Sequence, residues 1–231
     1  MIGILGGMGT QAGLDFCNKL AILNRGKIDQ KHPLFILYNK SNIPNRPKNL
    51  KKYFNVLKSL TNGCKMLQKN KCKFIVIPCN TAHHWYDDLK KKINIPIISM
   101  PKEVFKFASK NCKKNSKIGI LSTEATIKTR VYSKYFNKNF ILIKPTNNLQ
   151  KNCVNKSIKY VKLGKVKLAE KAIKPAVNYL IKNNCKKIIL GCTELPIAIF
   201  AYKSFKKIKK SKVFIDPNLL LAQVAMKKYK K

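Results

Sequence analysis

Two stretches decide the reading of the fold: Phe74-Ile75-Val76-Ile77-Pro78-Cys79-Asn80-Thr81 and Lys187-Ile188-Ile189-Leu190-Gly191-Cys192-Thr193-Glu194. Each is a short apolar run that ends at a cysteine followed by polar residues able to open a helix or a tight turn. A continuous apolar run of this length predicts a strand buried on both faces, as in parallel sheets. Each cysteine is therefore expected at the C-terminal edge of such a sheet, where open α/β folds place their ligands. A helix start there offers unpaired backbone N–H groups and a positive dipole end, and both favour thiolate over thiol.

The repetition extends outward. Ile2-Gly3-Ile4-Leu5 recurs as Ile118-Gly119-Ile120-Leu121; Gly3 precedes Cys79 by 76 residues and Gly119 precedes Cys192 by 73. Two landmarks repeated at nearly equal spacing predict a duplicated α/β half. Apolar runs predict strands over 2–5, 34–38, 74–77, 95–99, 117–121, 140–143, 187–190 and 213–215. Amphipathic stretches between them predict helices over 11–24, 49–69, 81–92, 101–112 and 124–136. Two more are expected within 147–182, with a kink or break at Pro175. A closing helix over 216–228 has Asp216 as its cap and Pro217 at its first position. The fold class is thus α/β, with two similar parallel-sheet subdomains related by a pseudo-two-fold and the active site in the cleft between them. Residues 1–99, with 213–231 packing back on them, form the first subdomain; residues 100–212 form the second.

Composition narrows the function. The chain has 231 residues, 45% hydrophobic, enough for a sizeable core. Its formal charge of +40 comes from 49 basic against 9 acidic residues. Only Arg25, Arg46 and Arg130 are arginines, and the lysines are spread along the chain in short runs such as Lys90-Lys91-Lys92 and Lys206-Lys207. A dispersed, arginine-poor charge reads as a solvated surface that attracts small anions, with no specific nucleic acid expected. No apolar run is long enough for a membrane span, and the N-terminus lacks the pattern of a signal peptide, so a cytoplasmic location is expected. Eight cysteines without a C-x-x-C pair predict neither a disulfide framework nor a structural zinc.

Two symmetric thiols on opposite sides of one small molecule suit inversion at carbon. One takes a proton as thiolate; the other returns a proton to the opposite face. Such a pair makes pyridoxal phosphate unnecessary, so no cofactor is expected. Gly6-Gly7-Met8-Gly9 is a tight turn that lacks both the dinucleotide fingerprint and the Walker ending. His83 and Asp87 could share a helix face, but a second pair of ligands is missing and no metal site is expected.

Taken together, Gly6-Gly7-Met8-Gly9, Ile43-Pro44-Asn45-Arg46, Pro78-Cys79-Asn80-Thr81-Ala82-His83 and Gly191-Cys192-Thr193-Glu194-Leu195-Pro196 resemble the aspartate/glutamate racemase family, in particular its aspartate racemase branch. The match runs in order from Gly3 to Asp216-Pro217. Glutamate racemases are less similar: they usually open with Asp-Ser/Thr-Gly and carry Thr-His-Tyr-Pro after the second cysteine. The resemblance implies a cofactor-independent, homodimeric racemase acting on aspartate or glutamate. It makes Cys79 and Cys192 the acid/base pair, one for each enantiomer. It assigns Asn80, Thr81 and Thr193 to the substrate α-carboxylate and Met8 to the wall of the site. Arg46 would contact the side-chain carboxylate or stabilise the site, and Lys162 stands where the family usually has a functional lysine. Glu194 is read either as a substrate-binding residue or as a first-turn acid. Thr10, Asn45, Ala125 and Thr129 depart from the family's usual Pro, Asp, Gly and Ser. Asn45 belongs to a substrate-side loop, so specificity stays open between aspartate, glutamate and a broader range. The alternatives are a hydantoin racemase or maleate isomerase on the same scaffold, and a basic nucleic-acid-binding protein whose binding would fall steeply with salt.

Overall fold

The computed structural model describes residues 1–24, 28–200 and 212–230, so the Lys206-Lys207 run lies outside the described residues. The chain divides into two units, Met1–Glu103 with Asn218–Lys231, and Val104–Pro217.

The first unit is built on three parallel strands, β1 (Ile2–Gly6), β2 (Phe35–Asn39) and β3 (Phe74–Val76), in the order β2-β1-β3. β1 is fully buried because both its faces are covered. On one face, Ile2 and Ile4 meet Phe16 and Leu20 of α1 (Thr10–Leu23), and Leu221, Ala222 and Ala225 of the C-terminal helix α11 (Pro217–Tyr229). On the other, Leu5, Ile75 and Ile77 meet Leu60, Cys64 and Leu67 of α2 (Tyr53–Lys69), with Trp85 and Leu89 beyond. A 3₁₀ turn over Thr81–Trp85 leads into α3 (Tyr86–Lys92), and α4 (Met100–Asn111) carries the chain across the boundary between units.

The second unit holds β4 (Lys117–Ser122), β5 (Ile141–Ile143), β6 (Lys187–Gly191) and β7 (Phe214–Ile215), all parallel, in the order β5-β4-β6-β7. After β4 come α5 (Glu124–Lys128) and α6 (Ser133–Phe136); after β5 come α7 (Asn147–Leu149), a π-helical turn over Gln150–Asn155, α8 (Lys156–Lys162) and α9 (Val166–Lys182). α10 (Glu194–Phe200) follows β6. Leu121, Ile188 and Leu190 pack on Ile173, Val177 and Leu180 of α9. Phe105, Phe136 and Phe140 make an aromatic cluster with ring centroids 5.4 to 6.2 Å apart.

Four expectations change. The strand expected over 95–99 shrinks to one bridge, Ile75 with Ile97, because Pro96 has no N–H to give a ladder. The strand before α11 pairs with β6, where Ile188 N–H bonds the Val213 carbonyl at 2.9 Å, so residues 213–217 stay with the second unit and the return to the first begins at Asn218. Pro175 lies inside α9 without ending it. The one bond it removes would have gone to Lys171, and both residues are exposed, so water can take that carbonyl. The break falls instead at Gly164, with φ 71°, between α8 and α9. The helix expected over 124–136 splits at Arg130, whose φ of 56° is left-handed.

The recurring Ile-Gly-Ile-Leu has one packing cause in both units. A Cβ on Gly3 would stand 3.2 Å from the Leu67 Cβ of α2; a Cβ on Gly119 would stand 2.9 Å from Leu180 Cδ1 and 3.3 Å from Leu180 Cβ of α9. Each glycine lets a helix close onto its central strand. Gly119→Ala should therefore destabilise by roughly 1–3 kcal/mol through overpacking. A urea titration checks this, with Gly164→Ala as reference. Gly164 meets nothing within 4 Å, so its substitution reports only the cost of a positive φ.

Candidate active site

In the first unit β1 lies between β2 and β3, so the connections leaving β1 and β3 part to opposite sides and a crevice opens at their C-terminal ends. The second unit repeats this with β4 between β5 and β6. The residues that emerge at these ends are Gly7-Met8-Gly9 and Cys79-Asn80-Thr81 in one unit, and Ser122-Thr123 and Cys192-Thr193-Glu194 in the other.

In the first unit Met8, Cys79, Asn80 and Thr81 are all nearly buried, with exposures of 3 to 6%. The Cys79 N–H bonds the Ile77 carbonyl at 2.8 Å, which curls the chain at the strand's end. His83, 2% exposed, fixes the other side of the cysteine. Its Nε2 accepts from the Met100 N–H at 3.1 Å, so Nδ1 carries the proton and donates to the Cys79 carbonyl at 2.9 Å. With both ring nitrogens bonded to backbone, His83 has no lone pair for a metal. Among the described residues no group of three His, Cys, Asp or Glu is placed to hold a metal ion.

Arg46 is the brace of the β1 loop. Nη1 donates to the carbonyls of Ile43 and Pro44 at 3.1 and 3.2 Å, and Nη2 to that of Met8 at 2.9 Å. This leaves Nη2 one further hydrogen for a ligand. Gly7 is required beside it: at φ 85°, a Cβ there would stand 2.3 Å from the backbone of Lys40.

In the second unit Cys192 is 8% exposed and Glu194 6%. The Cys192 thiol donates to Glu194 Oε2 at 2.9 Å, and the Thr193 hydroxyl reaches the same oxygen at 3.4 Å. Lys162, at the end of α8, places its ammonium 3.6 Å from Glu194 Oε1. Glu194 thus lies between a thiol and a cation. Burial pushes the Cys192 thiol well above the ordinary cysteine range; the Glu194 charge and its hydrogen bond push the same way, while Lys162 pulls down. Cys192 is therefore held as a thiol at neutral pH.

The sequence reading did not assign Ser122, Thr123, Thr126 or Tyr132. Thr123 Oγ1 caps α5 by accepting from the Thr126 N–H at 3.2 Å. Its signal was present, since Thr123 follows β4 as the Gly7-Met8 loop follows β1. Tyr132 carries no such signal. It is fully buried, with its phenol held far above the usual range by burial first, then by the charges of Asp216 and Cys192. A Cβ on Gly191 would lie 3.4 Å from its ring.

Two parallel-sheet α/β units of this kind are the fold that solved racemases share. The chain belongs to the Asp/Glu/Hydantoin racemase family, whose model matches residues 5–225. Among solved structures, the aspartate racemase of Picrophilus torridus is 30% identical, with a TM-score of 0.84 over 100% of this chain and 94% of that one. The glutamate racemase isoform RacE1 of Bacillus anthracis shares the fold at 21% identity and a TM-score of 0.73, covering 100% and 81% of the two chains. The broad specificity amino-acid racemase RacX of Bacillus subtilis is 27% identical over 202 residues, 84% of this chain and 86% of its own.

Proposed function

We propose that this protein is an aspartate racemase that needs no cofactor and uses Cys79 and Cys192 as its acid/base pair. The observation that carries the reading is the placement of the two thiols. Cys79 follows β3, beside β1, and Cys192 follows β6, beside β4, each at the C-terminal edge of its sheet, and the second unit repeats the order β2-β1-β3 as β5-β4-β6 before adding β7. The 30% identity to the Picrophilus torridus aspartate racemase over the whole chain favours aspartate over a larger substrate.

The chemistry follows from two thiols serving opposite faces of one α-carbon. One cysteine, as thiolate, takes the α-proton, and the C–H electron pair moves into the carboxylate. The other, as thiol, gives its proton to the opposite face. The product is the mirror form, and the two sulfurs have exchanged protonation states. Asn80, Thr81 and Thr193 hold the α-carboxylate and meet the charge that builds on it. Arg46 offers its free Nη2 hydrogen to the side-chain carboxylate while its other bonds hold the Met8 loop as the wall of the site. Lys162 and Glu194 set the protonation of Cys192, a role added to the substrate contact that the resemblance implies. Such an enzyme suits the cytoplasm, where thiols stay reduced, and the resemblance supports a homodimer.

The test is proton exchange. Reduced protein without added pyridoxal phosphate, in deuterated buffer, should remove the α-proton NMR signal of both L- and D-aspartate and form the mirror enantiomer of each. L-glutamate run alongside should exchange far more slowly. No exchange with either aspartate, from folded protein with free thiols, overturns the reading.

A further inference from the structure

One cavity of the second unit is lined by none of the residues used in the chemistry above. It holds about 440 Å³, a volume within the range of small-molecule sites. Glu124, Ile127 and Lys128 of α5 form one wall; Lys144, Pro145, Gln150 and Lys151, from the segment that follows β5, face it. The cavity therefore belongs to the β5 side of β4, whereas Cys192 follows β6, on the other side of β4.

What marks this cavity as a site is Gln150, the first residue of the π-helical turn and only 7% exposed. Its Nε2 donates one hydrogen to the Ser122 carbonyl at 2.9 Å and the other to Asn155 Oδ1 at 2.8 Å. Asn155 is itself oriented, because its Nδ2 donates to Glu124 Oε1 at 2.9 Å. Turning the Gln150 amide over would set its oxygen against two acceptor oxygens, so its orientation is fixed. Both amide hydrogens are thus spent, while Oε1 is buried and accepts from nothing. A buried acceptor left unpaired is costly. A donor entering from the cavity that Gln150 lines would complete it.

The mouth of the cavity supplies charge. Lys128, Lys144 and Lys151 are exposed. Glu124, 4.0 Å from the Lys128 ammonium, is the one acidic residue of the lining, so three positive charges less one negative leave two. A lone carboxylate would match one of them; a phosphomonoester carries about −1.5 to −2 at neutral pH and matches both. Lysine serves phosphate well as a point charge. Half-buried Ile127 and buried Pro145 offer apolar surface to the body of a ligand that spans the two ends. We propose that this cavity binds a phosphomonoester whose organic part gives a hydroxyl or amino hydrogen to Gln150 Oε1, with its phosphate among the three lysines. Nucleotides and sugar phosphates share that chemistry.

The experiment is isothermal titration calorimetry on the full chain in 150 mM salt, which screens the general field of the +40 surface. The probes are AMP, glucose 6-phosphate, inorganic phosphate and L-aspartate. One of the two organic phosphates should bind at one per chain, at least tenfold tighter than inorganic phosphate, and L-aspartate should not displace it. AMP as the tighter probe gives the cavity to a nucleotide; glucose 6-phosphate as the tighter gives it to a sugar phosphate. Lys144→Ala with Lys151→Ala should weaken that binding at least tenfold. Lys65→Ala with Lys69→Ala, both exposed on α2 of the first unit, should change it less than twofold. Gln150→Met should bring the organic phosphate down to the level of inorganic phosphate; if that variant does not fold, the two lysine pairs decide. Organic phosphates that bind no tighter than inorganic phosphate, equal losses in the two lysine pairs, or displacement by L-aspartate would each overturn the proposal. The readout is heat of binding rather than turnover, so this site and the racemase reading can fail separately.

Discussion

Cys79→Ala and Cys192→Ala should each abolish racemisation in both directions, yet leave opposite halves of the proton chemistry behind. A racemase with one thiol can still draw the α-proton from the enantiomer that thiol faces and exchange it with solvent. It cannot deliver a proton to the other face. In deuterated buffer, one variant should label only L-aspartate and the other only D-aspartate, without inversion. Turnover should fall at least a hundredfold, within the ~10²–10⁴ range that a positioned acid or base supplies. The double variant should label neither. Two-way turnover surviving in either single variant would end the two-thiol mechanism.

The second large effect concerns how Cys192 is tuned, and its value lies in two variants that must move in opposite directions. The thiol is pushed up by burial and by Glu194, and pulled down by Lys162. Glu194→Gln removes the buried negative charge and keeps a hydrogen-bond acceptor near Sγ. The pH midpoint for alkylation of Cys192 by iodoacetamide should therefore fall. Lys162→Ala removes the cation and should raise it. The second shift should shrink with added salt, because the Lys162 side chain is 55% exposed. In Glu194→Gln, the direction in which Cys192 takes the proton should keep its rate to lower pH than in wild type, since a sulfur with a lower pKa is thiolate over a wider range. The measurement is mass-spectrometric peptide alkylation against pH, with kcat read separately for each enantiomer. Both midpoints moving the same way would remove Glu194 and Lys162 from control of the thiol.

Most of the architecture was legible because its cause is local. Runs such as Phe74-Ile75-Val76 are apolar on both faces only when helices cover both, and the cysteine after each run marks where the strand must end. The spacing from Gly3 to Cys79 and from Gly119 to Cys192 carried the duplication without any knowledge of the helices between. What stayed hidden depends on distant partners. Nothing near residue 214 says that its strand pairs with β6. Pro175 is tolerated in α9 only because the carbonyl it abandons faces water, a matter of packing rather than of sequence. At the site, the cysteines and their polar neighbours could be read from spacing. The contact of Lys162 with Glu194 could not, because α8 meets α10 only in the folded unit and lysine is too common here to stand out. Tyr132 was invisible for the same reason: its importance comes from what buries it.

One ring ties the backbone at Cys79 to the start of α4. His83 holds the Cys79 carbonyl with one nitrogen and the first N–H of α4 with the other. That helix is the segment in which the first unit ends and the second begins. The imidazole therefore acts as a clamp inside the first unit: without it, the buried Cys79 carbonyl and the Met100 N–H would both lose their partner, and the backbone that carries the sulfur would no longer be fixed to the start of α4.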